Sequence, residues 1–196
     1  MLTSMKVGTE RIRQIVLSLR NFSRLDQAER KPVNIHDGID STLLILQHRL
    51  KSKDSRPVIK IVKNYGELPE VECYPGQMNQ VFMNIISNGI DALESKYEES
   101  NNNKLELMMT ITTKLLKNNH IVVLINDNGN GIPPEIKSKI FNPFFTTKPV
   151  GKGTGLGLSI SYQIVVEKHG GIFKCESQPG TGTEFYIEIP VTLVDV

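Results

Sequence analysis

Three polar residues lie one helical turn apart in the segment QMNQVFMNIISNGIDALESKYEES and could face a hydrated cation. Asn84, Asn88 and Asp91 follow each other at steps of four and three residues, so they share one face of a predicted helix. Carboxamide and carboxylate oxygens are the ligands that Mg²⁺ prefers. A solvated helix face has the same spacing, and the spacing alone leaves both interpretations open.

A second candidate is the stretch NDNGNGIP, residues 126–133. Asp127 directly follows the apolar run IVVLIN, and Gly129 and Gly131 come after it. Glycines tolerate positive φ and let a ligand approach the backbone closely. A carboxylate held there could accept a hydrogen bond from an exocyclic amine. A glycine-rich turn with a capping Asp is the alternative.

The third candidate is GKGTGLGLS, residues 151–159, in which glycines alternate with other residues just before a predicted helix. Free backbone N–H groups at the start of a helix bind anions. The segment lacks the order of a P-loop and the βαβ context of a dinucleotide-binding fingerprint. A flexible linker would have a similar composition.

An aromatic cluster precedes this segment. Phe141, Phe144 and Phe145 are three of the seven phenylalanines in the chain. They predict either a small satellite core under the loop or a lid hinged on aromatic anchors.

The elements that must position these residues follow from hydrophobic periodicity. Strands are predicted in 58–66, 68–76, 104–116, 119–129 and a final hairpin, 171–191, and helices in 5–30, 37–53, 77–100, 133–141 and 156–171. This order favours an α+β fold over a doubly wound parallel sheet. We expect a two-layer α/β sandwich, with a mixed sheet and helices on one face, preceded by an amphipathic helix.

Composition limits the classes of function. A net charge of +2 over 196 residues argues against a nucleic-acid-binding protein. Cys73 and Cys175 have no metal-binding spacing and are typical of free cytoplasmic thiols. No apolar run reaches the roughly 18 residues that span a bilayer. The N-terminus lacks the apolar core of a signal peptide and enters a helical pattern without a cap, so we expect a cytoplasmic fragment of a longer protein. Any membrane anchor is expected in other parts of that parent.

The order NxxxN, DNGxGI, FxPFFTTK and GTGLGL resembles the ATP-binding catalytic domain of sensor histidine kinases. That domain belongs to the gyrase, heat-shock chaperone, histidine kinase and mismatch-repair ATPase superfamily, which shares the Bergerat fold. The resemblance covers about residues 33–193, so residues 32–196 are interpreted as the catalytic domain.

The resemblance implies roles for the first two motifs. Asp127 would receive the adenine amine of ATP, while Gly129 and Gly131 let the base come close. Asn88 would be the Mg²⁺ ligand, supported by Asn84 from the previous turn. Many sensor kinases carry a Lys or an aromatic residue two or three positions after the residue that matches Asn88. This chain has Asp91 there, as in the subgroup of these kinases whose sequence reads IDAL.

The later motifs would hold the phosphates. Gly153, Gly155 and Gly157, with Leu156 between the last two, match the glycine box that wraps them. Thr154 and Lys148 are implied as phosphate contacts from the lid, and the three phenylalanines match the F box of the family.

Residues 1–31 resemble the second helix of the dimerisation and phosphoacceptor hairpin of these kinases, which would form a homodimer in the parent. His36, His48, His120 and His169 do not stand in the motif of a phosphoacceptor. No catalytic residue is therefore assigned in this chain, and the acceptor histidine is expected elsewhere in the parent. A response-regulator receiver domain would then accept the phosphoryl group.

Two alternatives remain at this stage. An ATPase of the same superfamily usually has Glu in place of Asn84, so the Asn favours a kinase over a hydrolase. A serine kinase or nucleotide-dependent interaction module of the anti-sigma type is the other, and the N-terminal amphipathic helix disfavours it.

Overall fold

The computed structural model of the chain describes residues 29–52, 56–100, 105–148 and 153–193. The strands are β1 (Lys31–Val33), β2 (Ile59–Tyr65), β3 (Val71–Cys73), β4 (Leu107–Leu115), β5 (His120–Asp127), β6 (Ile172–Gln178) and β7 (Gly182–Pro190). The helices are α1 (Ile35–Leu50), α2 (Pro75–Glu99), α3 (Pro134–Lys137) and α4 (Gly157–Tyr162), and α4 continues into a π-helical segment, Gln163–Lys168. The helix predicted for residues 5–30 lies almost entirely outside the described residues.

The main sheet has five strands in the order β2-β4-β5-β7-β6. Only β2 and β4 are parallel, and every other neighbouring pair is antiparallel. The predicted mixed sheet is therefore confirmed. Strands β4 and β5 are joined by a tight turn, in which the Asn119 N–H donates to the Leu116 carbonyl at 3.2 Å.

One face of this sheet carries the core. Along β5, Ile121, Val123 and Ile125 are buried at every second position, which is the alternation of a strand with one covered face. Helix α2 packs its own apolar stripe against them, with Phe82, Ile86 and further residues at helical spacing. Helices α1 and α4 contact α2, so the helices form the second layer of an α+β sandwich.

Several element boundaries differ from the prediction. Helix α1 begins at Ile35 rather than at residue 37, because the Asn34 side chain caps it by accepting a hydrogen bond from the His36 N–H at 3.0 Å. Helix α2 begins at Pro75 rather than Gln77, since proline is favoured in the first turn. The predicted final helix is α-helical only to Tyr162.

The prediction missed a small second sheet. No strand was predicted before residue 58, but residues 31–33 form β1, which pairs antiparallel with β3. Proline is tolerated in edge strands because one side of such a strand needs no N–H donor. The proposed domain boundary between residues 31 and 32 falls inside this strand and stays a prediction.

No helix among the described residues combines the length and apolar character needed to cross a membrane. Both cysteines are free and buried, and burial raises the pKa of each thiol to about 12. Thiols held in this state are poor nucleophiles.

Candidate functional site

Asp127 is the last residue of β5 and continues the inward alternation of the strand, so its carboxylate lies under α2 with only 5% of the residue exposed. Its Oδ1 accepts a hydrogen bond from the Gly129 N–H at 2.8 Å, and the Thr183 backbone also donates to the carboxylate. Burial raises the pKa of Asp127 to about 6, while these two donors and the charge of Lys96 act in the opposite direction. A carboxylate has capacity for about four hydrogen bonds, so it can accept more.

Glycines make the space around this carboxylate. A Cβ added to Gly89 would lie 3.5 Å from Asp127 Oδ2 and 2.5 Å from Met109 Cε. A Cβ added to Gly129 would lie 2.7 Å from Asp127 Oδ1 and 2.8 Å from Ala92 Cβ. Larger residues at either glycine would fill the space beside the acid.

The loop after β5 is fixed from both sides. Gly131 has φ +72°, and a Cβ there would collide with the Gln178 carbonyl. Lys96 Nζ donates to the carbonyl of Asn128 at 2.5 Å and to those of Gly129 and Gly180 at 3.2 Å. One ammonium group therefore joins α2, this loop and the turn between β6 and β7.

A polar cluster lies on α2 beside Gly89. Lys148 Nζ donates to Asn88 Oδ1 at 3.2 Å and forms an ion pair with Asp91. On its other side, Asp91 Oδ1 accepts from Arg49 Nη2 at 2.5 Å, and Arg49 also pairs with Glu94. Lys148, a positively charged residue of the predicted lid, therefore contacts Asn88, which was predicted as a metal ligand.

Asn84 has a different partner. Its Nδ2 donates to the Gly157 carbonyl at 2.9 Å and to Ser161 Oγ at 3.2 Å. A Cβ added to Gly157 would lie 3.3 Å from the Asn84 side chain. The structure thus places Asn84 against the start of α4, where it joins α2 to the glycine-rich segment.

The described part of the glycine box folds against the lid. A Cβ added to Gly153 would lie 2.7 Å from Thr146 Oγ1 and 3.1 Å from Lys148 Cβ. Thr154 Oγ1 accepts weakly from the Leu156 N–H at 3.4 Å. Gly151, the first glycine of the segment GKGTGLGLS, lies outside the described residues.

The aromatic cluster divides into two roles. Phe141 packs edge-on against Phe173 with a ring separation of 5.3 Å, and Phe145 packs on the core. Phe144 is 75% exposed and has φ +66°, which is unusual for a bulky residue. Phe141 and Phe145 pack as the predicted satellite core would. Phe144 is exposed and lies on the segment that was predicted as a lid.

Gly155→Ala is expected to disturb the lid while leaving the fold intact. Gly155 has φ +66°, and a Cβ there would lie 2.6 Å from the Phe144 carbonyl oxygen. Gly170 has a similar φ of +61° but nothing within 4 Å of its Cβ position, so Gly170→Ala isolates the backbone strain from the collision. We expect both variants to lose about 1 kcal/mol of unfolding free energy from strain, and only Gly155→Ala to weaken ATP binding, by about tenfold. Equal ATP affinities in the two variants would show that the collision is harmless.

No cluster of three or more His, Cys, Asp or Glu side chains that could hold a metal occurs in the described ranges. The donors beside Lys148 are one amide oxygen and one carboxylate. Mg²⁺ typically takes one or two protein oxygens and completes its shell with water and substrate phosphates. Asn88 and Asp91 therefore fit Mg²⁺ held together with a nucleotide.

The four histidines are bonded elsewhere. His36 stacks on Tyr65, His48 bonds to the Ile45 carbonyl and His120 bonds to Glu188. His169 accepts from the Tyr74 N–H at 3.1 Å, so its Nδ1 donates to the Ile164 carbonyl, and burial lowers its pKa.

Arg49 and Lys96 were missed by the sequence interpretation. Lys96 lies seven residues, two helical turns, after Gly89, so its position on the same face of α2 could have been noticed. Nothing in the local sequence around Arg49 indicates its contact with Asp91, because that contact depends on how α1 crosses α2.

The comparisons with known proteins agree with this arrangement. The family of histidine kinase-, DNA gyrase B-, and HSP90-like ATPases matches residues 74–193. Sensor kinase CckA of Brucella abortus (strain 2308) is 34% identical over 192 residues, which are 95% of this chain and 20% of CckA. Across eight curated relatives, the chain spans 15% to 47% of their length.

Solved structures agree as well. The nucleotide-free catalytic domain of histidine kinase ThkA superposes with a TM-score of 0.68 at 30% identity, covering 84% of this chain and 97% of that domain. ThkA in complex with response regulator protein TrrA gives a TM-score of 0.64 at 25% identity, covering 95% of this chain and 49% of that one. These matches confirm the α+β fold and the resemblance predicted from the four motifs. The chain thus belongs to the histidine kinase-, DNA gyrase B-, and HSP90-like ATPase family, as an ATP-binding catalytic domain of the sensor histidine kinase type.

Proposed function

We propose that this chain binds Mg²⁺-ATP between α2 and the loop that follows β5, and presents the γ-phosphoryl group to a histidine of the parent sensor kinase. The observation that carries the proposal is a continuous line of groups along α2. Asp127 lies beside Gly89, Lys148 contacts Asn88, and Asn84 contacts Gly157. A purine, a metal and a phosphate chain would meet these groups in that order.

Adenine recognition is assigned to Asp127. Its carboxylate is buried and can accept the hydrogen bonds of the adenine amine, and Gly129 and Gly131 keep side chains out of the path of the base. An amine buried against a carboxylate forms a charge-assisted hydrogen bond, which is stronger than a neutral one.

The phosphates are assigned to the glycine box and the lid. Asn88 would hold Mg²⁺ with Asp91 beside it, and a bound Mg²⁺ would neutralise charge on the phosphates. The backbone of Gly153, Gly155 and Gly157, with Leu156, would surround the phosphates, and Thr154 would donate its hydroxyl.

Lys148 is the cationic lid contact. Its ammonium group donates to Asn88 Oδ1 and forms an ion pair with Asp91. We expect it to move to the phosphates when ATP and Mg²⁺ bind. Phosphoryl transfer requires mainly positioning and charge neutralisation, and a mobile lysine contributes to both.

Lys148→Met should therefore weaken ATP binding by about tenfold, the typical effect of one hydrogen bond to a charged group. The affinity for adenosine, which has no phosphates, should be unchanged. Calorimetric titrations with both ligands would measure this, with Lys139→Met as a control because Lys139 is an exposed lysine after α3. A parallel loss of adenosine affinity would place Lys148 in a structural role.

The acceptor and the partners belong to the parent protein. The four histidines of this sequence are bonded elsewhere, so the phosphoryl group is proposed to pass to a histidine on a preceding dimerisation hairpin of a homodimer. A receiver domain of a response regulator would take it next, as the ThkA complex with TrrA suggests for that kinase. The cytoplasm, where ATP is available, is the proposed compartment.

An N-terminally extended parent labelled with γ-³²P-ATP tests this function. The proposal predicts a label that is stable in base and lost in acid, as expected for phosphohistidine. An acid-stable label on serine, or release of phosphate without protein labelling, would overturn it.

A further inference from the structure

A cavity of about 220 Å³ lies between β1, the first turns of α1 and the first turns of α2. Asn79 on its wall and Asn88 in the proposed nucleotide site are nine residues apart on α2, or about 14 Å along the helix. None of the residues assigned above to ATP lines this cavity. It is therefore a separate space.

Asn79 is the unusual residue of this cavity. It is only 8% exposed and lines the cavity wall. Within the described part of the chain, its carboxamide makes no hydrogen bond. Gly38 packs so closely on it that an added Cβ would collide with Asn79 Oδ1. Because Asn79 lines the cavity, its carboxamide is open to pairing with a polar group placed there.

A second set of donors faces the same space. Helix α2 has 25 residues, and its N-cap residue, Tyr74, makes no side-chain capping bond. Gly76, in the first turn, is buried and lines the cavity. The first N–H groups of a helix have no acceptor within the helix. Helix α1 differs, because Asn34 caps it. A carbonyl oxygen in the cavity could accept from the start of α2.

The remaining walls define the shape and charge of a ligand. Ile35, Met78 and Phe82 are buried apolar residues of the cavity wall. At the mouth, Glu29 and Asp37 outnumber Lys31, which disfavours an anion. A cavity of about 150 Å³ holds benzene, so this one has room for a ring with one small polar group.

We propose that this cavity binds a small neutral aromatic amide. The ring would lie against Met78 and Phe82. The amide would pair with the carboxamide of Asn79, since each group offers one acceptor and two donors. Its carbonyl oxygen could also reach the N–H groups at the start of α2. The site is independent of ATP binding and of the proposed kinase activity.

Benzamide is a suitable probe, and Met78 is a reporter inside the cavity. The whole chain, labelled with ¹³C at its methionine methyl groups, would be titrated and followed by NMR. We expect a saturable shift of the Met78 signal with a dissociation constant on the order of 1 mM. The Met108 signal, from β4, should not move. Saturating ATP should not displace benzamide.

Two comparisons make the test specific. Benzoate, which is charged, and α-methylstyrene, which has the same shape without polar atoms, should bind at least about tenfold more weakly. Asn79→Leu should cause a similar loss for benzamide, while the exposed Asn126→Ala should not. If Asn79→Leu does not fold, the affinities of benzamide, benzoate and α-methylstyrene for the unmodified chain still test the proposal.

Some results would overturn the proposal. They are the absence of a saturable Met78 shift in the whole chain, equal affinity for benzamide and α-methylstyrene, or displacement of benzamide by ATP.

Discussion

Replacing Asp127 by Asn is expected to weaken ATP binding by about 10- to 100-fold, the usual cost of an unmatched buried polar group. The Gly129 N–H already donates to Oδ1 at 2.8 Å, so an Asn amide nitrogen must face away from it. That nitrogen would then point at the adenine amine, donor against donor. Calorimetric titration with ATP measures the loss, with the exposed Asp40→Asn as the control.

The fold of the Asp127→Asn variant should persist, and its stability gives an independent check. Burial raises the pKa of Asp127 from 3.8 to about 6, so the folded chain binds this proton more tightly than the unfolded chain. The stabilising contribution of this group is fully present below pH 3.8 and is lost as the pH rises through about 6. The variant should lack this component of the pH dependence of unfolding free energy.

ATP affinity should show the opposite dependence on pH. Binding the adenine amine requires the ionised acid, so affinity should fall as the pH drops below about 6, where Asp127 takes up its proton. Protonation of the ATP phosphates changes the ATP affinity of the original chain and of Asp127→Asn equally. The difference between their two pH profiles of ATP affinity therefore reports the protonation of Asp127. Identical pH profiles would exclude Asp127 as the adenine acceptor.

The second large effect is expected for Asn88→Ala. Loss of this proposed metal ligand should remove most of the Mg²⁺ dependence of ATP binding and slow phosphoryl transfer in the extended parent by about 10²- to 10³-fold, since metal ions contribute several kcal/mol to such reactions. The variant also removes one acceptor of Lys148, at 3.2 Å, and leaves the ion pair of that ammonium group with Asp91 in place. Folding should be unaffected.

ATP titrations with Mg²⁺ and with a chelator measure this, and initial rates follow in the extended parent. Asn126→Ala, on the exposed face of β5, is the matched control. If the ATP affinity of Asn88→Ala depends on Mg²⁺ as strongly as that of the original chain, Asn88 does not hold the metal.

Local sequence patterns predicted the residues that lie at the ends and faces of regular elements. Asp127 follows from an apolar strand that stops at an acid, and Asn84 and Asn88 follow from helical spacing. The mixed sheet followed from the order of the elements. These features depend on residues close together in the chain, which is why they were accessible without coordinates.

Contacts between distant elements were not predictable in the same way. Arg49 reaches Asp91 only because α1 packs on α2. Lys96 reaches Gly180 only because the turn between β6 and β7 bonds to the loop after β5, where the Gly180 N–H donates to the Asn130 carbonyl. The partner of Asn84 at Gly157 and the pairing of β1 with β3 also depend on the tertiary arrangement. Topology, rather than residue type, decides each of these.

A crystal structure of the chain with Mg²⁺ and a non-hydrolysable ATP analogue is the most direct test. We expect one nucleotide whose adenine amine is within hydrogen-bond distance of Asp127, at the end of β5, and whose metal is held by Asn88 on α2. A purine bound elsewhere, or a metal site without Asn88, would contradict the account.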